Sequence, residues 1–203
     1  MRHRPPTKPA NAAARKVWQV GASAAAQHQH ALALRPATQT DAAFLSTVYR
    51  SVREPELQAM GWPEAQIDDF CNLQHRLRTA GYEQYLPPVE SAVVLREGSP
   101  VGLLAVCRNP ERWVLVSVEL LPAARGKGIG TQLLARLQRE AAAAGVGLGL
   151  QAASGSPVLR LCERCGFASV ANDGMVQRME WPHEKPRGAR KPAKSGADDK
   201  TVD

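Results

Sequence analysis

No run of apolar residues in this 203-residue chain comes near the ~18 that a membrane-spanning helix needs, so no membrane partner is expected. Cysteine is scarce: Cys71, Cys107, Cys162 and Cys165 are all there is. Four in a chain of this size do not make the disulfide framework of a small secreted protein. The single C-x-x-C, Cys162 to Cys165, has no second pair and no histidine at ligand spacing, which argues against a zinc site, and no metal is expected. The N-terminal stretch lacks the apolar core of a secretory signal. It faintly resembles a transit peptide, but Pro5, Pro6 and Pro9 spoil an amphipathic helix there. There are no internal repeats. A cytoplasmic protein is the expectation.

Acidic residues are absent from residues 1–40, which carry six Lys/Arg. Residues 41–181 hold 14 basic and 15 acidic side chains, and 182–203 hold six and four. The formal charge of +7 therefore belongs to the two ends, and the middle is nearly neutral. Both ends are rich in Ala, Pro and small polar residues without an apolar period, so 1–32 is expected as a disordered basic extension, or as sequence before an internal start, and 183–203 as a disordered charged tail. Basic tails of this kind make weak contacts to RNA or other polyanions, and nucleic acid is not expected as the main partner.

Between them, residues 33–182 read as one domain of alternating strands and helices. "ALALRPA" is a short strand, and "TDAAFLSTVYRSV" is a helix capped by Asp41, with Phe44, Leu45, Val48 and Val52 at helical spacing. Residues 53–66 read as irregular, with Pro63 opening a second helix. "SAVVLREG" and "PVGLLAVCRN" form a hairpin, and "RWVLVSVELLP" is a third strand of that meander. A helix follows with Ile129, Leu133 and Leu137 on one face. "GLGLQAA", "SPVLRLCERCG", "FASVA" and "GMVQRMEW" complete the order β1-α1-α2-β2-β3-β4-α3-β5-α4-β6-β7, an α/β fold on a mixed sheet.

Three glycines at alternate positions, Gly126, Gly128 and Gly130, stand between the third meander strand and the helix after it. Glycine is retained where the backbone takes unusual dihedrals or something approaches closely. A helix start offers unpaired N–H groups and partial positive charge, so a bound phosphate is the physical expectation. The spacing excludes a P-loop, because Leu121 stands where its first glycine belongs and Gly128 follows Lys127. It also excludes a dinucleotide fingerprint, whose last glycine falls on Thr131, and the loop comes too late for an opening βαβ unit.

What fits is R-x-x-G-x-G, Arg125 to Gly130. With "LRPAT..DAAFL" before it, "SPVLRLCERCGF" after it and "RMEW" at the end, the chain from about Leu34 to Trp181 resembles the GNAT family of acetyl-CoA-dependent N-acetyltransferases. The resemblance implies a mixed, mainly antiparallel seven-stranded sheet flanked by helices. It implies acetyl-CoA as cosubstrate, with its pyrophosphate on the N–H groups of Arg125, Gly126, Lys127, Gly128, Ile129 and Gly130, with Thr131 beside them as a further cofactor-binding residue, and with Arg125 and Lys127 adding charge. Leu120 and Leu121 would pair with the pantetheine arm where β4 and β5 splay apart. Ser156 stands where the family has Asn, and Cys162 where many members have Tyr.

Acetyl transfer needs a neutral amine, and a lysine-like amine with a pKa near 10.4 is neutral in only about one molecule in 2,500 at pH 7. A general base helps, and donors steady the oxyanion. Glu119 is the candidate base, on the same strand face as Ser117; its alternative is to position substrate or to pair with an arginine. Cys162 is the candidate acid, with core packing as the alternative. Glu54 and Glu56 stand either as a site for the acceptor's cation or as surface charge. Tyr82 and Tyr85 either line the acceptor pocket or pack. His75 and Trp62 carry no motif. The acceptor is expected to be a primary amine on a small molecule or a peptide, and the chain a monomer or homodimer. A non-catalytic CoA-binding module and an RNA- or ribosome-associated protein are the rival readings.

Overall fold

The computed structural model describes residues 32–85 and 87–181, so the expectations for the two chain ends lie outside the described residues. The elements are β1 (Leu32–Pro36), α1 (Ala42–Ala59), α2 (Glu64–Tyr82), β2 (Val89–Arg96), β3 (Ser99–Arg108), β4 (Arg112–Leu120), α3 (Ile129–Ala143), β5 (Gly147–Ala153), α4 (Pro157–Arg164), β6 (Ala168–Asn172) and β7 (Val176–Trp181). Their order is the one read from the sequence. They build one seven-stranded sheet, β1-β2-β3-β4-β5-β7-β6 in space, antiparallel except where β4 meets β5.

Alternation along the strands divides the core in two. Leu34, Ala92, Val94, Leu104, Val106, Leu115, Leu148, Leu150 and Met179 face one side, where Ile129, Leu133, Leu134 and Leu137 of α3 and Leu159 and Cys162 of α4 close over them. The buried residues between them, Val93, Leu103 and Ala105, face the opposite side, where α1 lies against β3 and β4.

The first helix is longer than the sequence suggested. Residues 53–59, read as irregular, continue α1 to Ala59 with Pro55 inside it. Proline lowers helix propensity by removing one N–H, but tertiary packing outweighs it here. Leu57 is buried with Ile67 and Cys71, and Trp62 sits edge-on to Phe70 at 5.3 Å. Arg50 ties the two helices further by pairing with Glu54, Glu64 and Asp68.

Asp41, expected as the helix cap, is buried at the start of α1. Arg35 donates from Nη1 at 2.8 Å and from Nη2 at 2.6 Å to its two oxygens, and the Thr38 amide and hydroxyl donate at 2.8 and 2.9 Å. The Arg35 guanidinium holds this carboxyl well below the usual carboxylate range. A depressed folded-state value contributes stability above the unfolded pKa, about 4, and that contribution is lost as pH falls through the folded value. Asp41→Asn is therefore expected to lower the urea midpoint at pH 7, with the gap to the parent closing steadily below about pH 4. A gap unchanged between pH 7 and pH 3 would show that the carboxylate's charge contributes nothing.

Candidate active site

The site begins with two strands that part. β4 and β5 pair in parallel only over Arg112–Leu115 and Gly147–Leu150. Beyond that point β4 stays with β3 as far as the Leu120–Gly102 pair, while β5 follows β7. Where they separate, Val116 has no partner on β3: Leu115 pairs with Val106, and Ser117 with Ala105. This bulge reverses the facing of the rest of the strand. Leu115 packs into the α3–α4 core, but so do Val118 and Leu120, which puts Ser117 and Glu119 on the opposite face.

A cleft of about 610 Å³ opens at the divergence. Its walls are the end of β4, the glycine loop with the first turn of α3, the start of α4, and Val52 of α1. Glu119, Leu120, Arg125, Gly126 and Gly128 contribute to it, as do Ile129, Gly130, Thr131 and Ser156. Nine of the twelve residues assigned from the sequence to the cofactor, the base and the acid are thus brought to one cavity. The glycines serve different ends. Gly126 and Gly128 have φ of 72° and 75°, the left-handed region that disfavours a side chain. Gly130 is helical, and a Cβ there would stand 2.8 Å from Leu161 Cδ2, so its smallness lets α3 approach α4. Val52, at helical spacing with the buried Val48, is 42% exposed at the cleft wall.

Three expectations change. Leu121 turns its amide to β3, donating to the Val101 carbonyl at 2.9 Å, so it has no N–H for a ligand. By alternation the backbone groups of Val118 and Leu120 point to the edge that β5 has left. Lys127 lines a separate hollow of about 220 Å³ with Leu32, Arg96 and Gln132. Cys162 does not line the cleft: it is fully buried in the main core, and burial pushes its thiol up to about 12. A thiol so placed is a poor proton donor, and packing is the role its surroundings support. Cys165 is half-buried against the same core.

Glu119 is held from two sides. Ser117 Oγ donates to its Oε1 at 2.6 Å, and Arg78 of α2 pairs with both oxygens. Arg78 was not singled out from the sequence. Its signal lay in the stripe Cys71, His75, Arg78 and Tyr82, which repeats at helical spacing along one face of α2. The guanidinium carbon of Arg78 lies 4.4 Å from the Tyr49 ring centroid and 5.8 Å from that of Tyr82, both within cation–π range. His75 is buried beside Tyr49, and burial together with Arg78 holds its imidazole below its ordinary value. Burial raises the Tyr82 hydroxyl. Glu54 pairs with Arg50 and Glu56 with Arg53, so both carboxylates already have cationic partners.

Tyr85 lines a second hollow, of about 450 Å³, with Val114, Val116, Gly149, Gln151 and Arg178. It flanks the same β4–β5 divergence. Among the described residues no group of three or more His, Cys, Asp or Glu side chains could hold a metal ion, and no helix is long and apolar enough to cross a membrane.

The profile of the acetyltransferase (GNAT) family matches residues 48–167, more than half of the chain. The chain belongs to the GNAT acetyltransferase family. It is thus an acyltransferase by family, with the mixed α/β sheet and flanking helices of the GNAT fold. No curated protein sequence matches it significantly. Solved structures share the fold at low identity. The PaiA N-acetyltransferase of Thermoplasma acidophilum, in complex with coenzyme A, is 17% identical, with a TM-score of 0.59 over 74% of this chain and 98% of that one. An acetyltransferase from Thermus thermophilus is 21% identical, with a TM-score of 0.55 over 76% and 99%.

The contrast between this chain's two C-x-x-C thiols is measurable. Cys162→Ala is expected to lower stability in urea by about 1–2 kcal/mol through the cavity it leaves. Cys165→Ala should cost less than about half of that, because the site is open on one side. Equal losses would contradict the packing described for the pair.

Proposed function

We propose that this GNAT protein transfers the acetyl group of acetyl-CoA directly to a primary amine carried by a small molecule or by a protein N-terminus. The observation that carries this reading is the cleft itself. One cavity joins the left-handed glycine loop and the N-terminus of α3 to the unpaired edge of β4 and to Glu119. An anion, an extended amide-bearing arm and an acyl group are the parts of acetyl-CoA, in that order.

In this reading the N–H groups from Gly126 to Gly130 take the pyrophosphate, helped by the α3 dipole, while the Arg125 amide, which donates to the Pro122 carbonyl at 3.1 Å, is already engaged. Ser156, at the start of α4, offers the cofactor a hydroxyl. The pantetheine arm pairs with the Val118 backbone and the Leu120 amide along the edge that β5 leaves, the Leu120 carbonyl being held by Arg125. The thioester then lies near Glu119, and the acceptor enters from the hollow lined by Tyr85, Gln151 and Arg178. An ammonium acceptor must lose two protons overall. Glu119 takes one, directly or through a water, and the other ends on the departing sulfur. Arg78 and Ser117 keep the Glu119 carboxylate oriented toward this task. No nucleophilic side chain is required. The catalytic unit is residues 33–182.

A second reading, a module that binds acyl-CoA without turnover, draws on the burial of Cys162 and on the pairing of Glu119 with Arg78. One pair of measurements separates the two. Glu119→Gln should lower kcat for amine acetylation, followed by free-thiol release, by about a hundredfold or more, with the acetyl-CoA Kd within about threefold. An unchanged kcat would remove Glu119 as the base, and a parent chain that binds acetyl-CoA but turns over no amine in a broad screen would favour the module. Gly128→Glu, which sets a carboxylate in the loop, should abolish calorimetric binding of acetyl-CoA. Retained binding would place the cofactor elsewhere.

A further inference from the structure

We infer that Pro55 and Ser51 of α1 form a latch that holds the cofactor loop through Arg125, a positioning role in the reaction proposed above, on which its effect on cofactor binding rests. In a helix the Ser51 carbonyl would accept a bond from the amide of residue 55. Pro55 has no N–H, and its ring crowds that carbonyl outward. The guanidinium of Arg125 occupies the opening. Its Nη2 donates to the Ser51 carbonyl at 3.0 Å and to Ser51 Oγ at 3.2 Å. The Ser51 hydroxyl donates in turn to the Val48 carbonyl at 2.8 Å, which fixes its lone pairs toward Arg125.

The same guanidinium reaches the other wall of the cleft. Arg125 Nε donates to the Leu120 carbonyl at 2.8 Å. One planar fork therefore spans three segments: the end of β4, the entrance to the glycine loop, and α1 next to Val52 of the cleft wall. Arg125 has five N–H groups, and Nη1 makes no hydrogen bond among the described residues, which leaves it for an anion. Lysine has no such planar, multi-donor fork. The apparent fault in α1 is thus the receptor for the residue that leads the glycine motif. The helix forgoes one internal bond, and the loop is ordered before the cofactor arrives.

The latch predicts opposite effects of one substitution on stability and on binding. In the full chain, Pro55→Ala restores the helical N–H and should raise the Tm. It should also speed amide hydrogen exchange over residues 121–128 of the ligand-free protein. The acetyl-CoA Kd and KM should weaken by about three- to tenfold, the loss of one or two hydrogen bonds, with kcat within about twofold. Ser51→Ala, which removes only the hydroxyl acceptor, should move exchange and Kd in the same direction by less. In an Arg125→Ala background Pro55→Ala should change neither loop exchange nor Kd, because the partner is gone. Unchanged loop exchange in Pro55→Ala, or an equal change with Arg125 absent, would overturn the latch. Failure of the parent chain to bind acetyl-CoA would defeat the proposed function, while the exchange measurements, which need no ligand, would still decide whether the latch exists.

Discussion

Everything in the site depends on β4 losing its neighbour halfway along. A strand in the middle of a sheet has every backbone donor and acceptor engaged, and exposing such an edge is normally avoided. Here pairing with β5 stops at Leu115, while pairing with β3 resumes after Val116 and continues over four more residues. The open edge lies in a cleft walled by α3, α4 and Val52 of α1, where a ligand with its own amides could complete it. The cleft is where that pairing was left unmade.

The bulge at Val116 sits at the same place and gives the parting its chemical sense. Strict alternation from Leu115 would send Ser117 and Glu119 into the apolar core under α3 and α4, at a large desolvation cost for a carboxylate. The extra residue turns them to the α2 face, where Arg78 and Ser117 meet the charge. Close approach reinforces it. A Cβ on Gly102 would collide with the Glu119 carbonyl and stand 2.7 Å from Leu120 Cδ2, so β3 and β4 hold the end of the strand closely. Backbone geometry, a partly buried ion pair and the cavity wall are set together within a few residues.

Two helices converge on this frame from opposite sides of the sheet. α3 brings its N-terminus to the cleft because its apolar stripe, Ile129 to Leu137, is buried on one face and Gly130 allows α4 to come near. α1 reaches the cleft through Val52 and Ser51, at the turn that Pro55 disturbs. The proline that made residues 53–66 look irregular is compatible with a helix because Leu57 is buried below it. Its cost is local, and the opened carbonyl is met by Arg125.

The sequence by itself determined the order of the elements and the place of the glycine loop, though not the length of α1. Periodicity located the strands and helices in their order, and the spacing of Gly126, Gly128 and Gly130 after a β-branched run marked a loop of unusual backbone dihedrals; these signals are local, set by backbone dihedrals and side-chain alternation within a few residues. Glu119 was legible as a carboxylate at the end of β4 beside Ser117. Its partner Arg78 was not, since the two are 41 residues apart and only the packing of α2 across the sheet joins them. Tertiary structure alone decided that Leu121 spends its amide on β3, that Lys127 faces a different hollow, and that Cys162 is enclosed by the core. Each outcome turns on which neighbour lies across a strand or helix, and a bulge or a close helix contact changes that without any mark in the local pattern.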